Sequence, residues 1–297
     1  MEHKRHSEEF FTEARDLWWN ADYLDLLKKR LRLSLAKKAL DVGCGVGHWA
    51  SIVASLIPKS ATIVGVDIEP EWIKEATERT LKNKERISFT LGNAYSLPFP
   101  NESFDLVTCQ TLLMHLDNPV TGLKEMVRVL KPNGLLLCAE PENLFSMLNS
   151  SSTLDKLNPE QLSHYFEFWA RYETGKCLLK QGNNSIARNI PGYFAQLGLR
   201  DIRAYLADKT IPIFTPYTEK QQLVMIEQMQ IWVRNRSGIW DMETLKRNYI
   251  ASGGKADNFM SDYEGALVIQ KQMLGDIDKN EFSSAGGGLF YVFSARK

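Results

Sequence analysis

Five short runs of this chain have strand character, several with apolar residues on successive interior positions, and there is helical spacing in the gaps between most of them. They are Lys38–Val42, Ala61–Asp67, Ile87–Gly92, Phe104–Gln110 and Gly134–Glu140. The pairs Ile63-Val64 and Leu106-Val107 and the triplet Leu135-Leu136-Leu137 show the pattern best. Consecutive side chains of a strand point to opposite faces, so such runs need cover on both. The segments Val46–Ile57, Pro70–Asn83 and Pro119–Leu130 have the spacing of helices that would supply it. Strand and helix alternating at this rhythm predict a doubly wound α/β fold with a parallel sheet. Lys131-Pro132-Asn133-Gly134 places Pro and Gly where a reversal before a strand uses them, and Leu97-Pro98-Phe99-Pro100 reads as loop.

Outside these runs the spacing is mostly helical. Phe10, Ala14, Leu17, Ala21, Leu24 and Leu31 form one stripe ahead of the first strand. After Glu140 comes an insertion dense in aromatics: Tyr165, Phe166, Phe168, Trp169 and Tyr172. A helix near Ala187–Leu197 leads to a strand at Leu199–Tyr205. Leu223, Ile226, Met229 and Val233, and later Phe259, Tyr263 and Leu267, return to helical spacing before a last strand at Leu289–Ala295.

The 36 Lys and Arg balance 36 Asp and Glu, so the net charge of zero supplies no global field toward nucleic acid or an anionic membrane. No apolar run approaches the ~18 residues of a membrane span, and the charged start MEHKRHSEEF lacks a signal-peptide core. Cys44, Cys109, Cys138 and Cys177 form no CxxC pair, so no metal site is expected and a cytoplasmic location fits.

The stretch Ala39-Leu40-Asp41-Val42-Gly43-Cys44-Gly45-Val46-Gly47-His48-Trp49 carries the chemistry. Glycines between a buried strand and a helix allow a sharp turn and let a ligand approach the backbone, with free N–H groups at the helix start. The next strand ends at Asp67, 24 residues after Gly43, where a carboxylate suits ribose hydroxyls. The spacing is GxGxG, with His48 where a dinucleotide fingerprint has its last glycine, which counts against NAD.

With Gly65-Val66-Asp67-Ile68, Gly92-Asn93-Ala94, the segment 97–105 and Leu130-Lys131-Pro132-Asn133-Gly134, this stretch resembles the ordered motifs of class I S-adenosylmethionine-dependent methyltransferases. It is most similar to the ubiquinone/menaquinone-biosynthesis (type 11) branch, over roughly residues 37–140. The resemblance implies a Rossmann-like seven-stranded sheet whose last strand is antiparallel. It implies that Gly43, Cys44 and Gly45 line the cofactor, with Asp41 orienting that loop or the cofactor's amino group. Asp67 would take the ribose, Ile68 the adenine face, Asn93 and Ala94 the adenine edge, and Gln110 and Leu112 the methionine end. Asn93 departs from the Asp common there; its amide can both accept from and donate to adenine. On this reading the chain divides into an N-terminal helical cap (1–36), a cofactor-binding core (37–208, with an insertion at 142–185), a helical insertion over the active site (209–284) and a final core strand (285–297).

The implied reaction is methyl transfer from S-adenosylmethionine by in-line displacement, without a metal, leaving S-adenosylhomocysteine. An insertion leaving the fifth strand's end favours a small, partly apolar or aromatic acceptor. Cys109-Gln110-Thr111-Leu112-Leu113-Met114-His115 lacks the Asn-Pro-Pro-Tyr type of signature used on amide or base nitrogens. His115 is the candidate base, shaping of the cofactor loop being its other reading. His48 and His164 are weaker candidates. Trp18, Trp19 and Tyr23 read as core or, with Arg15, as a lid. Glu140 and Glu142 could meet a cationic or hydroxyl-bearing substrate or be loop carboxylates. Two other readings stay open: an RNA or protein methyltransferase, and a non-catalytic S-adenosylmethionine-binding regulator.

Overall fold

The computed structural model describes residues 15, 17–81, 85–146, 151–234 and 241–297. Phe10 and Ala14 of the expected first stripe, and residues 82–83 of the expected second helix, lie outside the described residues. The described chain forms two compact units.

The first unit, residues 20–142, 182–207 and 290–297, is built on a seven-stranded sheet. Its strands are β1 (Lys38–Val42), β2 (Thr62–Asp67), β3 (Ile87–Leu91), β4 (Phe104–Gln110), β5 (Leu130–Pro141), β6 (Arg200–Leu206) and β7 (Phe290–Arg296), in the order β3-β2-β1-β4-β5-β7-β6. The first five run parallel, and β7 is antiparallel to both β5 and β6. This is the Rossmann-like arrangement that the sequence predicts. Its helices are α1 (Ala21–Leu31), α2 (His48–Leu56), α3 (Pro70–Arg79), α4 (Pro119–Val129) and α6 (Ile190–Gln196). Proline opens α3 and α4, where its missing N–H costs nothing. β1, β4 and the latter part of β5 are buried on both faces. Leu40, Val42, Val107, Leu136 and Cys138 pack with Leu123, Met126, Ile190 and Phe194 in one core.

The helix expected at 187–197 is a 3-10 turn over Ile186–Asn189 followed by an α-helix from Ile190 to Gln196, and the fifth strand's start shifts too. β5 begins at Leu130, not Gly134, and the Pro132–Asn133 reversal is an irregularity in its pairing with β4. Asn133 there takes the left-handed conformation at φ 62°.

The second unit joins 143–181 and 208–289 with the described residues up to Trp19. It contains α5 (Pro159–Leu178), α7 (Lys220–Arg234), α8 (Met242–Ala251) and α9 (Phe259–Asp278). A complete capping box starts α5: Asn158 accepts from the Gln161 N–H, and Gln161 accepts from the Asn158 N–H. Tyr165, Phe168, Trp169 and Tyr172 are buried with Tyr249, Phe259 and Tyr263, so most of the insertion's aromatic group is core. Gly175 sets how closely α5 lies on α8, since a Cβ there would fall 1.7 Å from the Asn248 carbonyl oxygen. No helix among the described residues is long and apolar enough to cross a membrane.

Candidate functional site

Strand order reverses between β1 and β4. In open α/β sheets the crevice beyond the strands' carboxyl ends at such a point is where ligands bind. Gly43, Gly45 and Gly47 leave β1 there with φ of 70°, 50° and 79°, a region that side-chain-bearing residues avoid. Two N–H groups, of Gly43 and Cys44, donate to the Val66 carbonyl at 2.8 and 3.1 Å and tie the turn to β2. Space is as tight as conformation. A Cβ on Gly43 would lie 2.7 Å from Leu112 Cδ1, and one on Gly47 would lie 2.6 Å from Phe89 Cζ.

Asp67 ends β2 with both carboxylate oxygens engaged. Oδ2 accepts from the Gly45 N–H at 2.8 Å and Oδ1 from the Glu69 N–H at 3.1 Å. The residue therefore holds the glycine turn in shape, and its remaining lone pairs are free to accept from a diol. Ile68 beside it is 60% exposed, an apolar surface at the strand's end. Asn93 turns its Oδ1 toward the Tyr95 N–H at 2.8 Å. That leaves its NH2 as the donor, so the acceptor half of the expected adenine contact is engaged within the loop. Ala94 is half-buried next to it.

Asp41 is fully buried on β1. Cys44 is buried too, and burial, helped by Asp41 and Asp67, pushes its thiol far up and keeps it neutral. Gln110 ends β4. Its side chain is buried, yet neither atom of its amide has a partner within the protein. Most buried amides are satisfied, and an orphaned one at a ligand crevice points to a ligand.

Thr111 follows at φ 51°, and the chain turns through Leu112 into a short 3-10 helix, Leu113–His115. Glu140 Oε1 accepts from the N–H groups of Leu112 and Leu113 at 2.9 and 2.8 Å. Burial pushes this carboxyl up to about 7, against the pull of those N–H groups, that of Met114 and the Cys109 thiol. Glu142 is held by both nitrogens of an Arg188 fork, one at 2.9 Å. Both carboxylates offered to a substrate by the sequence are thus engaged with the chain itself.

The remaining candidates are spread more widely. His115 closes the turn after β4, and Gly182 packs against its backbone without room for a Cβ. His48 opens α2 and is half-buried. His164 lies in the other unit, beside a cavity of about 310 Å3, with Nε2 3.2 Å from the Asp262 carbonyl oxygen. Trp19 and Tyr23 are buried, and the Arg15 guanidinium lies 5.2 Å from the Trp18 ring centre. The packing role of two residues went unread in the sequence. Phe89 wedges between the glycine turn and β2, and Gly65 makes room for it, since a Cβ there would lie 2.5 Å from the ring. The Gly-Val-Asp run was their signal.

A glycine turn, a strand-end carboxylate and an unpaired amide thus stand at the switch point of a Rossmann-like sheet. Residues 40–138 match the family model described as "Methyltransferase domain". It is 37% identical over 112 residues to a demethylmenaquinone methyltransferase of Staphylococcus carnosus, covering 38% of this chain and 46% of that protein. It is 36% identical over 130 residues to the protein of that name from a Geobacillus species, covering 42% and 53%. The chain thus spans about half the length of the curated relatives it matches. Among solved structures, the YcgJ protein of Bacillus subtilis aligns with a TM-score of 0.51 at 18% identity, over 94% of this chain and 99% of that one. A Haemonchus contortus phosphoethanolamine N-methyltransferase, solved in complex with S-adenosyl-L-methionine, aligns at 0.50 and 17%, over 94% and 53%. These two likenesses are of fold.

Proposed function

We propose that the chain is an S-adenosylmethionine-dependent methyltransferase acting on a small, partly apolar or aromatic molecule. The Gln110 amide carries the reading: it is buried at the end of β4 with no protein partner, at the same sheet edge as the left-handed glycine turn after β1. An amide can serve the ammonium and the carboxylate of a methionine moiety at once. Asp67 would accept from the ribose hydroxyls, Ile68 would carry the adenine face, and the Asn93 NH2 would donate to a ring nitrogen. Bound there, the cofactor supplies an electrophilic methyl on a sulfonium. The protein's part is alignment and exclusion of water, and holding two reactants in line lowers a barrier by about 7–11 kcal/mol. His115 would accept the proton of an acceptor that carries one. The demethylmenaquinone methyltransferases that share the domain favour a ring-bearing acceptor.

Calorimetric titration with S-adenosylhomocysteine tests the site. Micromolar binding is expected in wild type, weakened roughly ten- to a hundredfold in Asp67→Ala, because both a ribose acceptor and the Gly45 anchor are lost. Transfer of labelled methyl to a panel of hydroquinones, phenols and amines tests the acceptor class. A folded wild type that ignores the ligand would sink the proposal. Binding without transfer to any acceptor would leave a cofactor-binding regulator.

A further inference from the structure

The turn after β4 is not one its sequence adopts unaided. Thr111 is β-branched and stands in the left-handed region at φ 51°, a conformation such a residue rarely adopts. The next two peptide N–H groups, of Leu112 and Leu113, donate to one atom, Glu140 Oε1. Leu112 in turn closes on Gly43 with no room for a Cβ between them. One carboxylate on β5 therefore fixes where the turn after β4 meets the glycine turn after β1. We propose that Glu140 is a positioning residue, resting on the methyl-transfer reading of this site: its ionised form holds the turn for the cofactor, its protonated form releases it, and cofactor affinity rises with pH.

Ionisation matters because the two donors converge on a single oxygen, and a carboxylate accepts from both more strongly than a carboxylic acid does. Oε2 is buried without a partner, so a proton placed there has no acceptor. With the carboxyl pushed up to about 7 by burial, both forms are populated near neutrality. The titratable groups around it are few. Cys109 on β4 brings its thiol to 3.8 Å from Oε1, and Cys138 lies two residues before Glu140 on β5. Asp41 is on β1, and Tyr291 is the strand partner on β7. Glu142 is tied to Arg188 of the 186–189 turn. His115, at the end of the capped turn, is the rival source of any step near neutral pH.

The experiment titrates S-adenosylhomocysteine into the full chain between about pH 6 and about pH 8, for wild type, Glu140→Gln and His115→Asn. Wild type should bind about tenfold more tightly at the upper end, as expected for a group with a midpoint near 7. Glu140→Gln should bind weakly and without a step, while His115→Asn keeps the step. Without ligand, the amide NMR shifts of Leu112 and Leu113 should titrate near 7 in wild type. Affinity flat with pH, a step lost with His115 and kept in Glu140→Gln, or unmoving amide shifts would each overturn the proposal. Wild type that binds at no pH would sink the methyl-transfer reading instead, and the amide shifts would then decide the role of Glu140.

Discussion

Two fully buried carboxylates, Asp276 in the helical unit and Glu140 in the sheet unit, are driven in opposite directions. Burial raises Asp276, but three donors more than offset it. Lys156 and Gln272 reach Oδ1 at 2.8 and 2.9 Å, and the Thr153 hydroxyl reaches Oδ2 at 2.9 Å, holding the carboxyl below its usual range. Glu140 receives its two short backbone N–H donors on one oxygen and none on the other, so burial wins. Depth alone thus fails to decide the charge; the completeness of the donor set does. A complete set makes a structural tie. An incomplete one leaves a group near its titration point, a state expected where function uses the charge.

The largest expected effect tests the incomplete case. Glu140 has a folded pKa raised above its unfolded value, so its contribution to stability is full below about 4 and is lost as pH rises through about 7, a swing on the order of 3 kcal/mol. Glu140→Gln removes the ionisation, so at about pH 8 the variant should be more stable than wild type by roughly 2–3 kcal/mol while binding S-adenosylhomocysteine less well. Urea unfolding at about pH 5 and about pH 8 measures it. A variant less stable than wild type at the upper pH would mean that Glu140 is as well served as Asp276, and the contrast would fall.

Asp276 runs the other way. Its folded pKa is depressed, so its stability is present above the unfolded value near 4 and is lost as pH falls through the folded one. Asp276→Asn should cost about 2 kcal/mol at neutral pH, since a charge-assisted set becomes a neutral one, and the difference should shrink toward pH ~3. An acid limb identical in variant and wild type would remove Asp276 from the comparison.

What the sequence revealed divides along the same line between the units. Strand ends, Asp67 and the glycine turn were legible because backbone conformation and the both-faced apolar run leave residue-level signatures. The interlock of Phe89 with Gly47 and Gly65 was not, since it depends on atoms brought together from two strands and a helix start. Glu140 and Glu142 were legible as carboxylates at the edge, but what they bond lies 27 or more residues away. In the helical unit, spacing found Ile226 and Tyr263 inside, yet Leu223 on the same expected stripe is 49% exposed. Helical period names a face without naming how wide the buried arc is.

That interlock offers a test of the glycine turn that leaves the carboxylates untouched. Gly47→Ala adds a Cβ at φ 79° and 2.6 Å from the Phe89 ring, and should destabilise by about 2 kcal/mol. Strain and collision separate in a double-mutant cycle. Phe89→Leu shortens the ring side, so the double variant should recover about 0.5–1 kcal/mol relative to additivity, while the strain remains. Full additivity would mean that φ alone makes Gly47 necessary.

The smallest effect comes from the same strand end as Glu140. Glu142 is nearly buried and takes a fork from Arg188, whose own side chain is 45% exposed. Screening at the guanidinium discounts the pair, so Arg188→Ala should cost about 1 kcal/mol, chiefly by leaving a buried carboxylate without its fork. Lysine keeps the charge but cannot present two parallel N–H groups, so Arg188→Lys should recover no more than about half. Thermal unfolding of the two variants measures this. If Arg188→Ala also acquired a stability loss on raising the pH through neutrality, Glu142 would have become a second Glu140. Stripping the donors from a buried carboxylate at this edge would then be enough to make one that titrates, whatever its place in the site.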